Sequence, residues 1–296
     1  TIEVGADLGA MESVDALLAE VEKAQEAGFR RLKLKFRPGW DLPVVEAVRR
    51  RFPDLTVHID CNGAYTLDDL PMFRALDEWG LAMIEQPLGH DDLVDHALLQ
   101  AQLRTPICLD ESITSVDRAR QAAEIGACRW VNVKPGRVGG LTVAIAIHDL
   151  CAERGIPCWV GGMLESALGQ GYNMALATLP NFRYPADIFP SRRFYVEDLA
   201  EPAIALSGPS QATAPDRPGV GFSPHPERLR AQTLREATIA TPARGFGDST
   251  EGVKGGRRLR SEPPPPLAGA ASGRGLGRPR EVSGGVAHHE RQPFAL

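Results

Sequence analysis

Leu32-Lys33-Leu34-Lys35, Val57-His58-Ile59-Asp60, Ala82-Met83-Ile84-Glu85, Ile107-Cys108-Leu109-Asp110 and Val131-Asn132-Val133-Lys134 are five short apolar or β-branched runs, each closing on an ionisable residue. The closing residues are 25, 25, 25 and 24 positions apart. A period of that length holds one strand, one helix and two ordinary loops. Strands that alternate with helices in this way are predicted to be parallel. If they are also adjacent, Lys35, Asp60, Glu85, Asp110 and Lys134 converge on one rim.

Outward from these runs the same alternation continues. Strands are predicted over residues 2–9, 31–36, 55–60, 81–85, 106–110, 129–133 and 156–160, with a weaker one over 186–189. Ser13 is placed to cap a helix from Val14 that stops at Gly28. Thr66 and Asp69 form a capping-box pattern, and Ser115 opens a helix that ends at Gly126. Further helices are predicted over 43–52, 91–104, 141–154 and 165–179. Eight strand–helix units without a composition break favour a closed barrel over an open sheet. The predicted fold class is therefore α/β: a TIM-like (β/α) barrel of about eight parallel strands over residues 1–225, a return segment over 226–240, and a tail over 241–296.

Composition agrees with one large domain. The 296 residues are 43% hydrophobic, and the formal charge is −5, which gives no indication of nucleic-acid binding. The tail differs: residues 241–296 hold 11 Gly and 7 Pro, carry +4, and show no periodicity, so disorder is predicted there. The five cysteines, Cys61, Cys108, Cys128, Cys151 and Cys158, form no Cys-x-x-Cys pair. They read as buried thiols in a reducing cytoplasm, with neither a disulfide framework nor a zinc site. No apolar run approaches the ~20 residues needed to cross a bilayer, and no signal peptide is expected from this stretch of sequence. The sequence opens on Thr1 rather than Met, so its true start is read as lying upstream.

The chemistry follows from which residues close the strands. Asp60, Glu85 and Asp110 supply hard oxygen donors suited to Mg²⁺ or Mn²⁺ rather than zinc. Singly, each is better explained as a cap or salt bridge; the spacing makes a joint metal site the better reading. Lys33 and Lys35, two apart on a strand, face one side at about 7 Å. Two ammonium groups beside a cation favour a neutral amine, which can act as a general base. Alone, Lys-x-Lys is a pair of surface lysines. Lys134 lies four strand–helix units from Lys35, so in an eight-stranded ring the two oppose each other across the centre. Asn62 points to the same side as Asp60 and is a candidate for binding metal or substrate oxygen, or an ordinary turn residue. Two opposed lysines and a divalent cation suit removal of the α-proton of a carboxylate, with the cation stabilising the enediolate.

These segments resemble the enolase superfamily, and within it the muconate-lactonizing subgroup; the lysine-and-Mg²⁺ pattern is a known signature of that superfamily. The resemblance rests on the strand ends above together with Asp60-Cys61-Asn62-Gly63-Ala64-Tyr65, Ile84-Glu85-Gln86-Pro87-Leu88, Asn132-Val133-Lys134-Pro135-Gly136-Arg137 and Gly161-Gly162-Met163-Leu164-Glu165-Ser166. Among its branches the chain is similar to the o-succinylbenzoate synthase and N-acylamino acid racemase family. The resemblance implies Lys35 as base on one face and Lys134 as the opposite base, or as the cation over the enediolate. It implies Lys33 as the electrostatic neighbour of Lys35, and Asp60, Glu85 and Asp110 as Mg²⁺ ligands. Gly161, Gly162 and Met163 would line the pocket for the acyl group. It also implies a small-molecule carboxylate substrate, a role in menaquinone synthesis and a possible homo-oligomer, with no nucleic acid or membrane partner.

Two features depart from the family. Its members begin with an α+β capping domain, for which these residues show no counterpart, and nothing in the family matches the tail after about Ala240. Three readings stay open at this point: dehydration to o-succinylbenzoate, racemisation of N-acylamino acids, and an inactive barrel lacking its cap. Another epimerase or cycloisomerase of the subgroup is a further alternative. The end of strand seven, Trp159-Val160-Gly161, lacks the histidine base of mandelate-racemase-like members.

Overall fold

A computed structural model describes residues 1–237. The compact unit is Thr1–Leu234; the second, Arg235–Leu296, lies almost wholly outside the described residues, and so does the tail predicted to be disordered. The chain runs β1 (Ile2–Glu3), β2 (Ala6–Leu8), α1 (Val14–Glu26), β3 (Arg31–Lys35), α2 (Leu42–Arg51), β4 (Thr56–Asp60), α3 (Leu70–Leu76), β5 (Ile84–Glu85) and α4 (Leu93–Gln102). It continues through β6 (Ile107–Leu109), α5 (Val116–Ile125), β7 (Trp130–Val133), a single turn α6 (Pro135–Val138), α7 (Leu141–Glu153), β8 (Cys158–Val160) and α8 (Ala167–Leu176). Three two-residue strands, β9 (Ala200–Glu201), β10 (Gln211–Ala212) and β11 (Ser223–Pro224), precede α9 (Pro226–Gln232).

Strands β2 to β8 form one parallel sheet in sequence order. Such a sheet is covered on both faces, so its strands read as apolar runs rather than alternating ones; β6 and β8 are buried throughout. The helices carry the matching stripes. In α7, Ala144, Ile147, His148 and Cys151 are buried at helical spacing. The caps are those expected: Ser13 Oγ accepts from Ala16 N at 3.1 Å, Ser115 Oγ from Arg118 N at 3.2 Å, and the Thr66–Asp69 capping box is formed.

The two ends of the predicted barrel differ from expectation. The first strand is broken: Ile2–Glu3 leaves to pair antiparallel with β10, and only Ala6–Leu8 joins β3. The eighth strand forms no ladder. Its place is held by an extended segment bridged to Cys158 at Phe182 and to Val4 at Ala186. Arg183 N donates to Cys158 O, Asp187 N to Val160 O, and Ala186 N to Glu3 O, each at 2.9 Å. Between them Pro185 has no N–H to give, which interrupts the pairing. The segment nonetheless reaches both β8 and the start of the chain, so the ring has eight places.

Candidate active site

Register explains how residues on five strands reach one rim. Lys35 pairs with Asp60, Asp60 with Glu85, Glu85 with Cys108, and Cys108 with Trp130. Asp110 therefore stands two residues beyond the level of Glu85, and Lys134 four residues beyond it. Barrel strands tilt against the axis, and a stagger of this kind is what keeps successive strand ends at one height. Around the ring β3 and β7 are four places apart in either direction, so Lys35 and Lys134 project from opposite sides.

Asp60, Glu85 and Asp110 are all buried, with side-chain exposures of 1%, 0% and 0%. Amines engage them. Lys33 Nζ lies 2.9 Å from Asp60 Oδ2 and 3.0 Å from Glu85 Oε2, and Lys35 Nζ lies 2.9 Å from Asp60 Oδ2. Asn62, in the left-handed region at φ 45°, accepts from Lys35 Nζ at 2.7 Å and donates to Glu111 Oε1 at 3.0 Å. Across the ring Lys134 Nζ donates to Asp110 Oδ2 at 2.8 Å, and Arg137 takes the other Asp110 oxygen. Asn132 joins the halves, donating to Glu85 Oε1 at 2.7 Å.

Burial and charge oppose each other here. Burial alone would lower the Lys33 pKa, but Glu85, Asp60 and Asp187 outweigh it and hold the ammonium well above its usual range. Burial would raise Glu85, yet Lys33, His58 and Lys134 hold it well below the ordinary carboxylate value. Asp110 goes the other way: burial pushes it up to about 6, with Glu85 adding and Arg137 and Lys134 opposing. Burial lowers Lys134 less than Asp110 and Glu85 raise it.

The glycines after β8 have a packing reason. A Cβ on Gly161 would lie 2.2 Å from Asn132 Oδ1 and 2.7 Å from Lys134 Cε; one on Gly162 would lie 2.4 Å from Asp187 O. Both are small so that the Lys134 side chain and the closing segment can approach. Met163 is 60% exposed, with its N–H donating to Glu165 Oε2.

Four contributors were not singled out from the sequence. Asn132 lies two residues before Lys134 on the same strand face, a period-2 signal that was available. Arg137 reaches Asp110 only because α6 turns it back. Beneath the rim, the fully buried Arg31 donates to Asp187 Oδ1 at 2.7 Å and Asp7 Oδ1 at 3.1 Å. Asp187 Oδ2 in turn lies 3.9 Å from Lys33 Nζ.

The donor set suits a hard divalent cation: three buried carboxylates on adjacent strands, with Glu85 Oε2 accepting no directed hydrogen bond among the described residues. As they stand, no three Asp, Glu, His or Cys side chains among the described residues converge tightly enough to form a ready cage. The lysine amines lie between them.

Comparison with known proteins agrees with this architecture. The family described as Enolase C-terminal domain-like matches residues 16–228. The chain is 51% identical over 221 residues to an o-succinylbenzoate synthase of Geobacillus kaustophilus, covering 75% of this chain and 59% of that one. It is 47% identical over 224 residues to an N-succinylamino acid racemase of Thermus thermophilus, covering 76% and 60%. A solved enolase-superfamily protein from Listeria innocua superposes with a TM-score of 0.75 at 43% identity, over 78% of this chain and 62% of that one. The chain thus spans about three fifths of the length of the curated relatives it matches. A family match over most of the described residues, on a barrel with the carboxylates and lysines at its rim, leaves one assignment: the chain belongs to the Enolase C-terminal domain-like family.

Proposed function

We propose that this barrel carries the chemical centre of a Mg²⁺-dependent enzyme that removes the α-proton of a small carboxylate substrate. The reaction is dehydration to o-succinylbenzoate, racemisation of an N-acylamino acid, or both. The observation that carries the reading is the placement of Lys35 and Lys134 on opposite sides of a rim whose floor is three buried carboxylates.

Asp60, Glu85 and Asp110 would hold the cation. When bound, it supplies Lewis-acid polarisation of the substrate carboxylate, which makes the α-proton more acidic. Lys35 has the more open position, with 42% of its side chain exposed, and takes the proton from one face. Lys134, 13% exposed and tethered to Asp110, presents an ammonium to the other face. In dehydration one base suffices: the proton that Lys35 takes is passed to the β-hydroxyl, which leaves as water, and Lys134 stabilises the developing negative charge. In racemisation Lys134 returns a proton on its own face. Asn62 orients Lys35, and Lys33, neutralised by Asp60 and Glu85, keeps the floor from excess negative charge.

The test is α-proton exchange in D₂O with Mg²⁺, followed by NMR, for an N-succinylamino acid and for the dehydration substrate. Exchange is expected with at least one of them. Lys35→Ala is expected to abolish exchange from one enantiomer of the amino acid and spare the other. Retained exchange from both enantiomers would remove Lys35 from its role.

A further inference from the structure

His58 lies on β4 two residues before Asp60, so both side chains point into the barrel, His58 one layer lower. It is fully buried. Its Nδ1 is 3.0 Å from Tyr184 Oη, and its Nε2 is 3.3 Å from Glu85 Oε2. The ring is wedged between two aromatic side chains, Tyr184 and Trp159, each with its centroid 5.4 Å away and near edge-on. Trp159 is itself fixed, donating through Nε1 to Cys108 Sγ at 3.2 Å. The imidazole therefore has little freedom to turn.

We propose that His58 is a positioning residue, the middle of a relay Tyr184–His58–Glu85 that fixes the Glu85 carboxylate from beneath. Glu85 Oε1 accepts from Lys33 at 3.1 Å and Asn132 at 2.7 Å. Oε2 is the oxygen that faces His58, with Lys33 Nζ 3.0 Å away but directed at Oε1. Neither His58 Nε2 nor Glu85 Oε2 makes a directed hydrogen bond among the described residues, to each other included, so the two unpartnered atoms face one another. Their separation is at the long edge of a hydrogen bond, so the sign of the contact depends on the tautomer. A lone pair on Nε2 facing a carboxylate oxygen repels it; an N–H attracts it. The ionised Glu85 carboxylate, which can only accept, favours the second case. The Tyr184 hydroxyl, able to donate or accept, then donates to Nδ1, and the ring proton sits on Nε2, the nitrogen nearest Glu85. A ligating carboxylate is held by its outer partners much as a ligating imidazole is, and losing such a partner typically weakens metal binding about 10- to 100-fold.

The relay is a feature of the protein alone; its effect on metal affinity rests on the reading of Glu85 as a cation ligand. Two measurements keep these apart. The first is ¹⁵N NMR of histidine-labelled full-length protein without metal, with the His58 signals assigned by their loss in His58→Gln. The expected pattern is a neutral ring with the proton on Nε2. A proton on Nδ1, or a mixture of tautomers, overturns the relay whether or not the protein binds metal. The second is calorimetric titration with Mg²⁺. Tyr184→Phe is expected to weaken binding about tenfold and His58→Leu by more, up to about 100-fold, while His58→Gln, which keeps an N–H near the same place, recovers most of the loss. Wild-type affinity in both Tyr184→Phe and His58→Leu would overturn the positioning role. Absence of Mg²⁺ binding by wild type would count against Glu85 as a ligand, leaving the tautomer to decide the relay.

Discussion

Arg31 shows most clearly how single residues are constrained. It is fully buried, yet its guanidinium donates to Asp187, Asp7 and Pro185 O, the last at 2.6 Å. Gly5 makes room for it: a Cβ there would lie 2.0 Å from Arg31 Nε. Arg31→Met keeps the bulk but leaves Asp187 as a buried charge without its main partner. Breaking a buried pair on one side costs about 3–5 kcal/mol, so the midpoint of urea unfolding should fall accordingly; a loss below about 1 kcal/mol would mean that Asp187 is served by other groups. The same cluster carries a pH signal. Burial, with Asp187 adding, pushes the Asp7 carboxyl up to about 7 against Lys33 and Arg31. Between about pH 4, the range of an ordinary carboxyl, and pH 7 the folded protein holds a proton that the unfolded chain has released. This contribution is present at low pH and lost as pH rises through that window. The side chain keeps 27% exposure, so solvent weakens the effect. Asp7→Asn should narrow the difference in metal-free stability between pH 5 and pH 8; an unchanged difference would show that Asp7 is not its source.

At the scale of elements, β5 shows how a two-residue strand can anchor a site. Gln86 follows Glu85 in the left-handed region at φ 37°, fully buried. Its Oε1 accepts from Asp110 N at 3.0 Å and Ser112 N at 3.2 Å, and its Nε2 donates to Ser112 Oγ at 2.8 Å and Leu88 O at 3.1 Å. One side chain thus fastens the end of β5 to the turn after β6. Gln86→Leu has similar size but leaves two buried N–H groups without acceptors, each costing about 1–3 kcal/mol. Thermal unfolding should show that loss, and a stability within 1 kcal/mol of wild type would mean that water replaces the amide. None of this was legible from Ile84-Glu85-Gln86-Pro87, which announces a strand end but not what the next side chain does. The spacing placed the strand ends and helix caps because both depend on local pattern. It did not show the stagger between Glu85 and Asp110, which depends on how the ring closes. The broken first strand and the Pro185 gap were missed for the same reason: their pairing partners, at residues 211–212 and in the opening segment, are distant in sequence. Arg137 was hidden by a four-residue helix that reads as a loop.

Across the whole molecule, the barrel interior gathers buried carboxylates, lysines and Arg31 where a simple core would be apolar. Such a centre is poor evidence for stability, because desolvation offsets most of the attraction between buried ions. Its retention makes sense if another charge shares the site. A cation that binds only the folded barrel must stabilise it by mass action, by about 2.7 kcal/mol at a concentration 100 times its Kd. Among the described residues that cation would act on carboxylates from three different strands, so its effect should appear in global unfolding rather than in one loop. Millimolar MgCl₂ is therefore expected to raise the Tm of the 296-residue chain, beyond what NaCl of equal ionic strength does, since screening alone treats the two salts alike. Glu85→Gln should remove the difference between the salts while leaving a folded protein, because Lys33 retains Asp60 at 2.9 Å. Equal Tm values in the two salts for wild type would sink the cation site without any assay of turnover. A Mg²⁺-specific rise that survives Glu85→Gln would place the cation elsewhere than on the rim.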